Sequence, residues 1–278
     1  MERDRSFTEV LGTLGNALCA THLAARPLWT RSQEEDVAQI AKDIHRSALD
    51  FSHVPLVDMA KRVTHVLYRE DIPHRPTGAA RLLAKPLDAV HTIPANASVA
   101  EVAERIQTAG FLLVHPAAES GRFDGIINHA DLAKLPLRIW LFAAFAEIED
   151  RLRSRLSDLV SDDSEIGKNR LFGPAHLPAR YRLHFIDLMQ VAWRKRRWFK
   201  DCGAEEASRF FHRLNGRRNA VVHALDGALT PGWRAVVGQL KTTVEDIRRA
   251  LDELSEGEAA PPLKTRSLRP GESSGQST

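Results

Sequence analysis

Cysteine is nearly absent from this chain: Cys19 and Cys202 are the two among 278 residues. Two thiols so far apart exclude a disulfide framework and lack metal-ligand spacing, so a reducing compartment is expected. Methionine is scarce as well, with three residues. The longest apolar run, near Ile139 to Ala146, falls far short of the roughly 20 residues that a membrane span needs. Met1-Glu2-Arg3-Asp4-Arg5 leads into no signal-peptide core. Together these absences predict a cytoplasmic protein with no membrane association. No glycine-rich phosphate loop and no H-E-x-x-H pair occurs, and the twelve histidines show no ligand spacing, so no metal is expected.

What is present is an ordinary apolar content of 43% and a net charge of +3. That length and composition suit two domains better than one. The mild positive charge permits nucleic-acid binding without demanding it. It is unevenly spread: Arg194-Lys195-Arg196-Arg197-Trp198-Phe199-Lys200 is a dense basic run with Trp193 and Trp198 interleaved. One reading is a solvated helix end whose tryptophans pack inward. The other is an RNA-binding strip of Arg194, Arg196, Arg197, Lys200 and Arg217, in which cations neutralise phosphates and an aromatic stacks on a base.

The first half alternates between strand-like and helix-like patterns. A helix is expected over Gln33 to Arg46, then strands at His53 to Asp58 and Arg62 to Tyr68 separated by a turn at Met59 to Lys61, and Arg69-Glu70-Asp71-Ile72 could start a short helix. The order recurs. Ala89 to Ile93 reads as a strand, Asn96 or Ser98 caps a helix that ends at Gly110, and strands follow at Phe111 to Val114 and Phe123 to Ile127. A helix restarts at Ala130 to Lys134. Asp71 and Asp131 fall at matching points, about 60 residues apart, which suggests a duplicated supersecondary unit.

This half resembles a tandem CBS pair, or Bateman module, with copies at about 25–73 and 86–135 of a module covering 1–135. Gly125-Ile126-Ile127-Asn128-His129-Ala130-Asp131 looks like the family's G-h-h-[S/T]-x-x-D ending. The resemblance implies an adenine nucleotide (ATP, ADP or AMP) as a regulatory ligand, with Gly125, Asn128 and Asp131 in its site and Asp71 in the matching one. Asn128 replaces the family's hydroxyl residue, and the first copy has His65 for Gly and Tyr68 for Ser/Thr. The residues alone offer another role for Asn128-x-x-Asp131, a helix N-terminal capping pair.

From Leu135 the pattern is helical. A long helix is expected from Leu137 to Leu159, with Leu141, Phe145, Ile148, Leu152 and Leu156 on one face. Asp162 to Ser164 and Gly173-Pro174 mark a loop. Further helices are expected over Arg180 to Phe199, over Ala204 to Ala224 with an interruption near Gly216, and from about Trp233 to Leu254. The tail 256–278, rich in Gly, Pro and Ser, is expected to be disordered. Val10, Leu11, Leu14 and Leu18 suggest a short amphipathic helix packed on the first copy.

Within the third of these helices, Arg218, Asn219 and His223 form R-N-x-x-x-H. Arginine is a permanent cation suited to phosphate, and imidazole exchanges protons near neutral pH. R-x4-H alone would occur about once by chance in such a chain, and Arg69 with His74 repeats it. Asn219 beside the arginine makes the match rarer. A helical bundle carrying this motif resembles the HEPN family over about 136–255.

That resemblance implies metal-independent RNA cleavage at catalytic Arg218, Asn219 and His223 with no catalytic cofactor, in a homodimer whose motifs face a shared cleft. Ala224-Leu225 after His223 leaves out the tyrosine that some HEPN toxins present for AMPylation. On one ideal helix Arg218 lies about 140° from His223, so a break at Gly216, the arginine's reach, or a second subunit must bring them together. Arg218 could instead pair with Glu147, Glu149 or Asp150, and His223 could serve the core.

The expected architecture is thus a tandem CBS module followed by a HEPN-like bundle. The expected function is an endoribonuclease set by an adenine nucleotide, of toxin or phage-defence type, with RNA and a regulatory protein as partners. The alternative is a non-enzymatic nucleotide-sensing or RNA-binding regulator in which the bundle dimerises.

Overall fold

The computed structural model describes residues 13, 17–46, 52–116, 121–156, 183–225 and 230–255. Its first unit is a sheet of order β1-β2-β3-β4, with β1 (Arg31–Ser32), β2 (His53–Val57), β3 (Val63–Tyr68) and β4 (Lys85–Pro86). β1 and β2 are parallel, and the remaining pairs are antiparallel. Counting a four-residue turn, α1 (Ala20–Leu23), as the first helix, α2 (Val37–Arg46) is the crossover between β1 and β2. It buries Val37, Ile40 and Ile44 at helical spacing against Val54, Leu56 and Leu67. The expected start at Gln33 comes four residues early. Gln33 still donates its N–H to Val57 in the sheet, and Asp36 accepts from the Ala38 N–H where the helix begins.

The second unit repeats the order with β5 (Thr92–Pro94), α3 (Val99–Ala109), β6 (Phe111–His115) and β7 (Gly125–Asn128). β5 and β6 are parallel, β6 and β7 antiparallel. Ser98 accepts from the Glu101 N–H at the start of α3, and Gly110 ends it at φ +78°, a conformation glycine adopts without strain. Ala89–His91 and His129–Ala133 are short 3-10 turns, where the pattern suggested a strand and a helix. β6 reads as an uninterrupted apolar run because both its faces are covered. Leu112 and Val114 join α3 in one core, while Phe111 and Leu113 pack with Val57, Val63 and Val66 of the first unit.

At that seam the Phe111 ring lies 4.4 Å from a stacked His91 and 4.3 Å from His53, with Tyr68 edge-on to His53 at 5.0 Å. Lys85 sits 4.5 Å over the Tyr68 ring.

The described part of the segment before the first unit, residues 17 to 25, packs on the second unit. Ala25 and Ile126 exchange N–H···O bonds of 2.8 and 3.2 Å, and Ala20 and Leu23 are fully buried in the core around α3. The reason is a free edge: β7 is the outer strand of its sheet, and Gly125 lets the segment approach, since a Cβ there would stand 2.8 Å from that of Ala24. Leu18 packs against the same core, while Val10, Leu11 and Leu14 lie outside the described residues.

The helical half comprises α4 (Leu135–Arg155), α5 (Phe185–Arg194), α6 (Ala204–Leu225), α7 (Pro231–Gly238) and α8 (Leu240–Ser255). α4 buries Leu137, Leu141, Phe145, Ile148 and Leu152 along one stripe, and α8 packs on both α3 and α4. An Arg248–Glu104 ion pair also joins α8 to α3. α6 runs through Gly216 without the expected break, and the single final helix is two, parted at Gly238-Gln239. The expected second helix ends at Arg194, because Trp198 and Phe199 turn into the core. Trp198 is 1% exposed and stacks on Phe211 at 5.3 Å. Reaching there takes left-handed backbone at Arg196 and Phe199, with φ of 53° and 49°. The loop expected over 162–174 and the tail 256–278 lie outside the described residues.

Asp246, 7% exposed, accepts from Arg213 Nε at 2.7 Å and Nη2 at 3.1 Å, and from Arg217 Nη1. Burial pulls the Arg217 guanidinium below its ordinary range, and the bond to Asp246 pushes that of Arg213 up. Asp246→Ala strands the buried Arg217, and a loss of about 3 kcal/mol or more in urea denaturation is expected. A loss below about 1 kcal/mol would show that solvent reaches these guanidiniums.

His53 gives a second expectation. Burial first, then the charges of His91 and His129, lower its pKa from 6.5 to about 4. The folded state therefore holds a neutral ring while the unfolded chain takes a proton. Stability falls as pH drops from 6.5 to about 4 and is unaffected by this group above that window. His53→Phe should flatten the change in denaturation midpoint between about pH 7.5 and about pH 5. An unchanged slope would remove His53 as its source.

Candidate functional site

The phase of α6 decides which of its side chains reach solvent. Phe210, Phe211, Leu214, Val221 and Ala224 are buried. The opposite stripe presents Asn215, Asn219 and His223, four residues apart, to a cleft of ≈ 470 Å³. Its far wall is Glu149 of α4 and the stretch Leu183 to Ile186 leading into α5. Arg218 lies off the stripe, but its side chain reaches into the same cleft. Nη1 donates to Asn219 Oδ1 at 3.3 Å, and Nη2 meets Glu149 Oε2 at 3.4 Å. Arg218 and His223 thus line the same cleft of one chain, and α6 is unbroken between them.

Glu149 is shared. Its Oε1 accepts from Arg153 Nη1 at 2.6 Å, so one carboxylate holds two guanidiniums. The His223 end of α6 is fixed by Arg138, which donates to the Ala224 carbonyl at 2.8 Å and to that of Ala133 at 3.0 Å. Arg138 also lies 5.6 Å over the Trp233 ring. The cleft thus gathers a guanidinium, two imidazoles (His184 and His223), two carboxamides and a carboxylate. Such a set can bind a phosphodiester and move protons to or from its oxygens. Sequence reasoning missed His184 and Arg138, whose roles arise only when distant segments pack. Among the described residues no group of three or more His, Cys, Asp or Glu side chains is arranged to hold a metal ion.

The basic run divides. Arg196, Arg197 and Lys200 are exposed and border a second cleft of ≈ 640 Å³ with Arg151 and Arg155 of α4. Arg194 is exposed and donates to Gln190 Oε1 at 3.5 Å. Arg217 does not belong with them: it is 6% exposed, bound to Asp246 and to the Thr242 carbonyl at 3.0 Å. Its helical position faces the core, which is why it cannot meet RNA. Base stacking by Trp198 is likewise ruled out by its burial, and Trp193, half-buried, donates to the Cys202 carbonyl at 3.1 Å.

The residues expected at a nucleotide have partners within the chain. Asn128 Oδ1 accepts from the Ala130 N–H at 2.8 Å and from that of Asp131 at 3.3 Å. Asp131 Oδ2 accepts from the Asn128 N–H at 2.8 Å, and its Oδ1 faces Lys134 Nζ at 2.8 Å. This is the reciprocal capping pair that the spacing allowed. Lys134 also donates to the Leu23 carbonyl at 2.6 Å, tying the turn to α1. Gly125 is crowded by Ala24 and Ala25, and Asp71 pairs with Lys85 at 2.8 Å. No described helix is long and apolar enough to cross a membrane.

No family model and no curated protein matches the chain. Solved structures similar to part of it are CBS-domain pairs. One is the CBS domains of a transcriptional regulator from Streptococcus pneumoniae, at 12% identity and TM-score 0.36, covering 41% of this chain and 96% of that one. Another is a CBS domain protein from Pyrobaculum aerophilum complexed with AMP, at 18% identity and TM-score 0.36, covering 41% and 90%. A third is the CBS domain of a bacterial CNNM/CorC family Mg2+ transporter in complex with ATP, at 10% identity and TM-score 0.37, covering 48% and 94%. Likenesses this low carry no argument about function, which rests on this chain's own residues.

Proposed function

We propose that the helical half is a HEPN-type endoribonuclease that needs no metal, controlled by an adenine nucleotide at the α/β half. The observation that carries this reading is the convergence of Arg218, Asn219 and His223 on one cleft within one protomer. In this reading His223 exchanges a proton with the ribose 2′-hydroxyl or the leaving 5′-oxygen. Arg218 offsets charge building on the phosphorus oxygens, and Asn219 orients the phosphate. Glu149 holds Arg218 until the phosphate enters. The products carry 2′,3′-cyclic phosphate and 5′-hydroxyl ends, and DNA, without the 2′-hydroxyl, resists.

The regulatory part is supported by the repeated β-α-β-β order, each copy ending in a 3-10 turn that bears Asp71 or Asp131. A homodimer of toxin or phage-defence type, held by a ligand or a partner protein, fits this arrangement. A second reading has its own observation. Arg218 is ion-paired to Glu149, as a structural arginine would be, which suits a non-enzymatic sensor or RNA-binding regulator.

Total RNA incubated in EDTA with wild type, Arg218→Ala and His223→Ala, with and without ATP or AMP, separates the two. Cleavage by wild type, lowered roughly 100-fold or more in either variant with folding intact, is expected. Intact RNA with wild type under every nucleotide condition would favour the regulator.

A further inference from the structure

Cleavage of RNA by its own 2′-hydroxyl moves two protons. One leaves O2′ as it attacks phosphorus, and one arrives at O5′ as the P–O5′ bond breaks. In an in-line displacement those oxygens lie on opposite sides of the phosphorus, so one imidazole cannot serve both at once. The R-N-x-x-x-H motif gives each protomer a single histidine. We infer that His184 is the second proton-transfer group of the cleft, paired with His223; this rests on the endoribonuclease reading above.

His184 comes from a different segment but lines the same cleft as His223, Arg218 and Glu149. Its place is fixed by its neighbours. Leu183 and Phe185 are each 4% exposed, so the alternating chain turns His184 outward between two buried anchors. Phe185 packs edge-on against Phe145 of α4 at 6.3 Å, one helical turn before Glu149. The His184 carbonyl accepts from the Leu188 N–H at 2.9 Å, which sets its main chain at the first turn of α5. His184 thus lies exposed between two buried neighbours and lines the same cleft as Asn215, Asn219 and His223.

The step balances without a co-reactant. One neutral ring takes the O2′ proton as the O2′–P bond forms. The other, protonated, gives its proton to O5′ as P–O5′ breaks. Exchange with water then restores both rings. With His184 in this role each protomer holds a complete acid–base pair, and a dimer has two.

The test uses the full-length protein, an RNA oligonucleotide and the same oligonucleotide with sulfur replacing the bridging O5′. Thiolate leaves without a proton, so a variant lacking the general acid recovers on the sulfur substrate and one lacking the base does not. His184→Ala and His184→Gln are each expected to slow cleavage of ordinary RNA by roughly 100-fold, with affinity for a 2′-deoxy analogue unchanged. Of His184→Ala and His223→Ala, one should recover on the sulfur substrate and the other should stay slow. Full-rate cleavage by both His184 variants, where His223→Ala is inactive, overturns this inference and leaves the endoribonuclease reading standing. No cleavage by wild type overturns both. A loss in His184→Ala traced to weaker binding of the 2′-deoxy analogue overturns the proton-transfer role alone.

Discussion

The apolar stripe of α4 is the constraint on which the rest of the molecule depends. Leu137, Leu141, Phe145, Ile148 and Leu152 are at most 2% exposed, and they belong to one core that reaches from Ile93 and Val102 to Val221 and Leu254. Each such side chain contributes about 1.5–3 kcal/mol by leaving water, and here the same side chains serve both halves. The helical half therefore has no core separate from that of the second α/β unit. The flank of α4 beside this stripe carries Glu149 into the cleft. Where α4 sits on α3 thus decides where the Arg218 guanidinium is held.

Helical phase explains why two adjacent arginines have opposite fates. Arg217 follows Leu214 by three residues and precedes Val221 by four, so it faces inward, and Asp246 must neutralise it. Arg218 is rotated by about 100° and lands at the border of the cleft. A buried guanidinium without Asp246 would be untenable, so α8 is positioned by a charge as well as by Val244, Ile247 and Ala250. Gly216 sits on the exposed side, and the helix passes through it unbroken because the buried residues on either side, Leu214 and Val221, outweigh the roughly 1 kcal/mol a helical glycine costs.

Much of the α/β half was legible because its signals are local. Ser98 and Gly110 mark the ends of α3 by their own chemistry, and the unbroken apolar run of β6 announces burial on both faces. The R-N-x-x-x-H motif was visible for the same reason. What could not be read depends on contacts between distant segments. Cys19 to Ala25 joins the second unit because β7 offers an open edge. The basic run leaves its helix because Trp198 finds Phe211, and nothing in Arg194 to Lys200 specifies that partner. Glu149 could be named only as one of three candidate carboxylates, since the choice lies in the rotation of α4 against α6. His184 carried no spacing signal at all.

The Glu149–Arg218 contact also bears on how such a cleft could be selective. A phosphodiester carries one negative charge, as a carboxylate does, so replacing Glu149 at Arg218 gains little from the guanidinium alone. In the proposed reading, a preference for RNA comes from groups that a lone anion cannot satisfy together: Asn215, Asn219 and the two imidazoles. In that reading Glu149 competes with small anions for Arg218. The same logic constrains any control from the α/β half. A ligand changes the cleft only if it favours one arrangement of a two-state element over another. The buried stripe of α4 is too closely packed to move by degrees. The polar contacts around it, Glu104–Arg248 on α8 and Glu149–Arg218 on α6, lie outside that buried stripe.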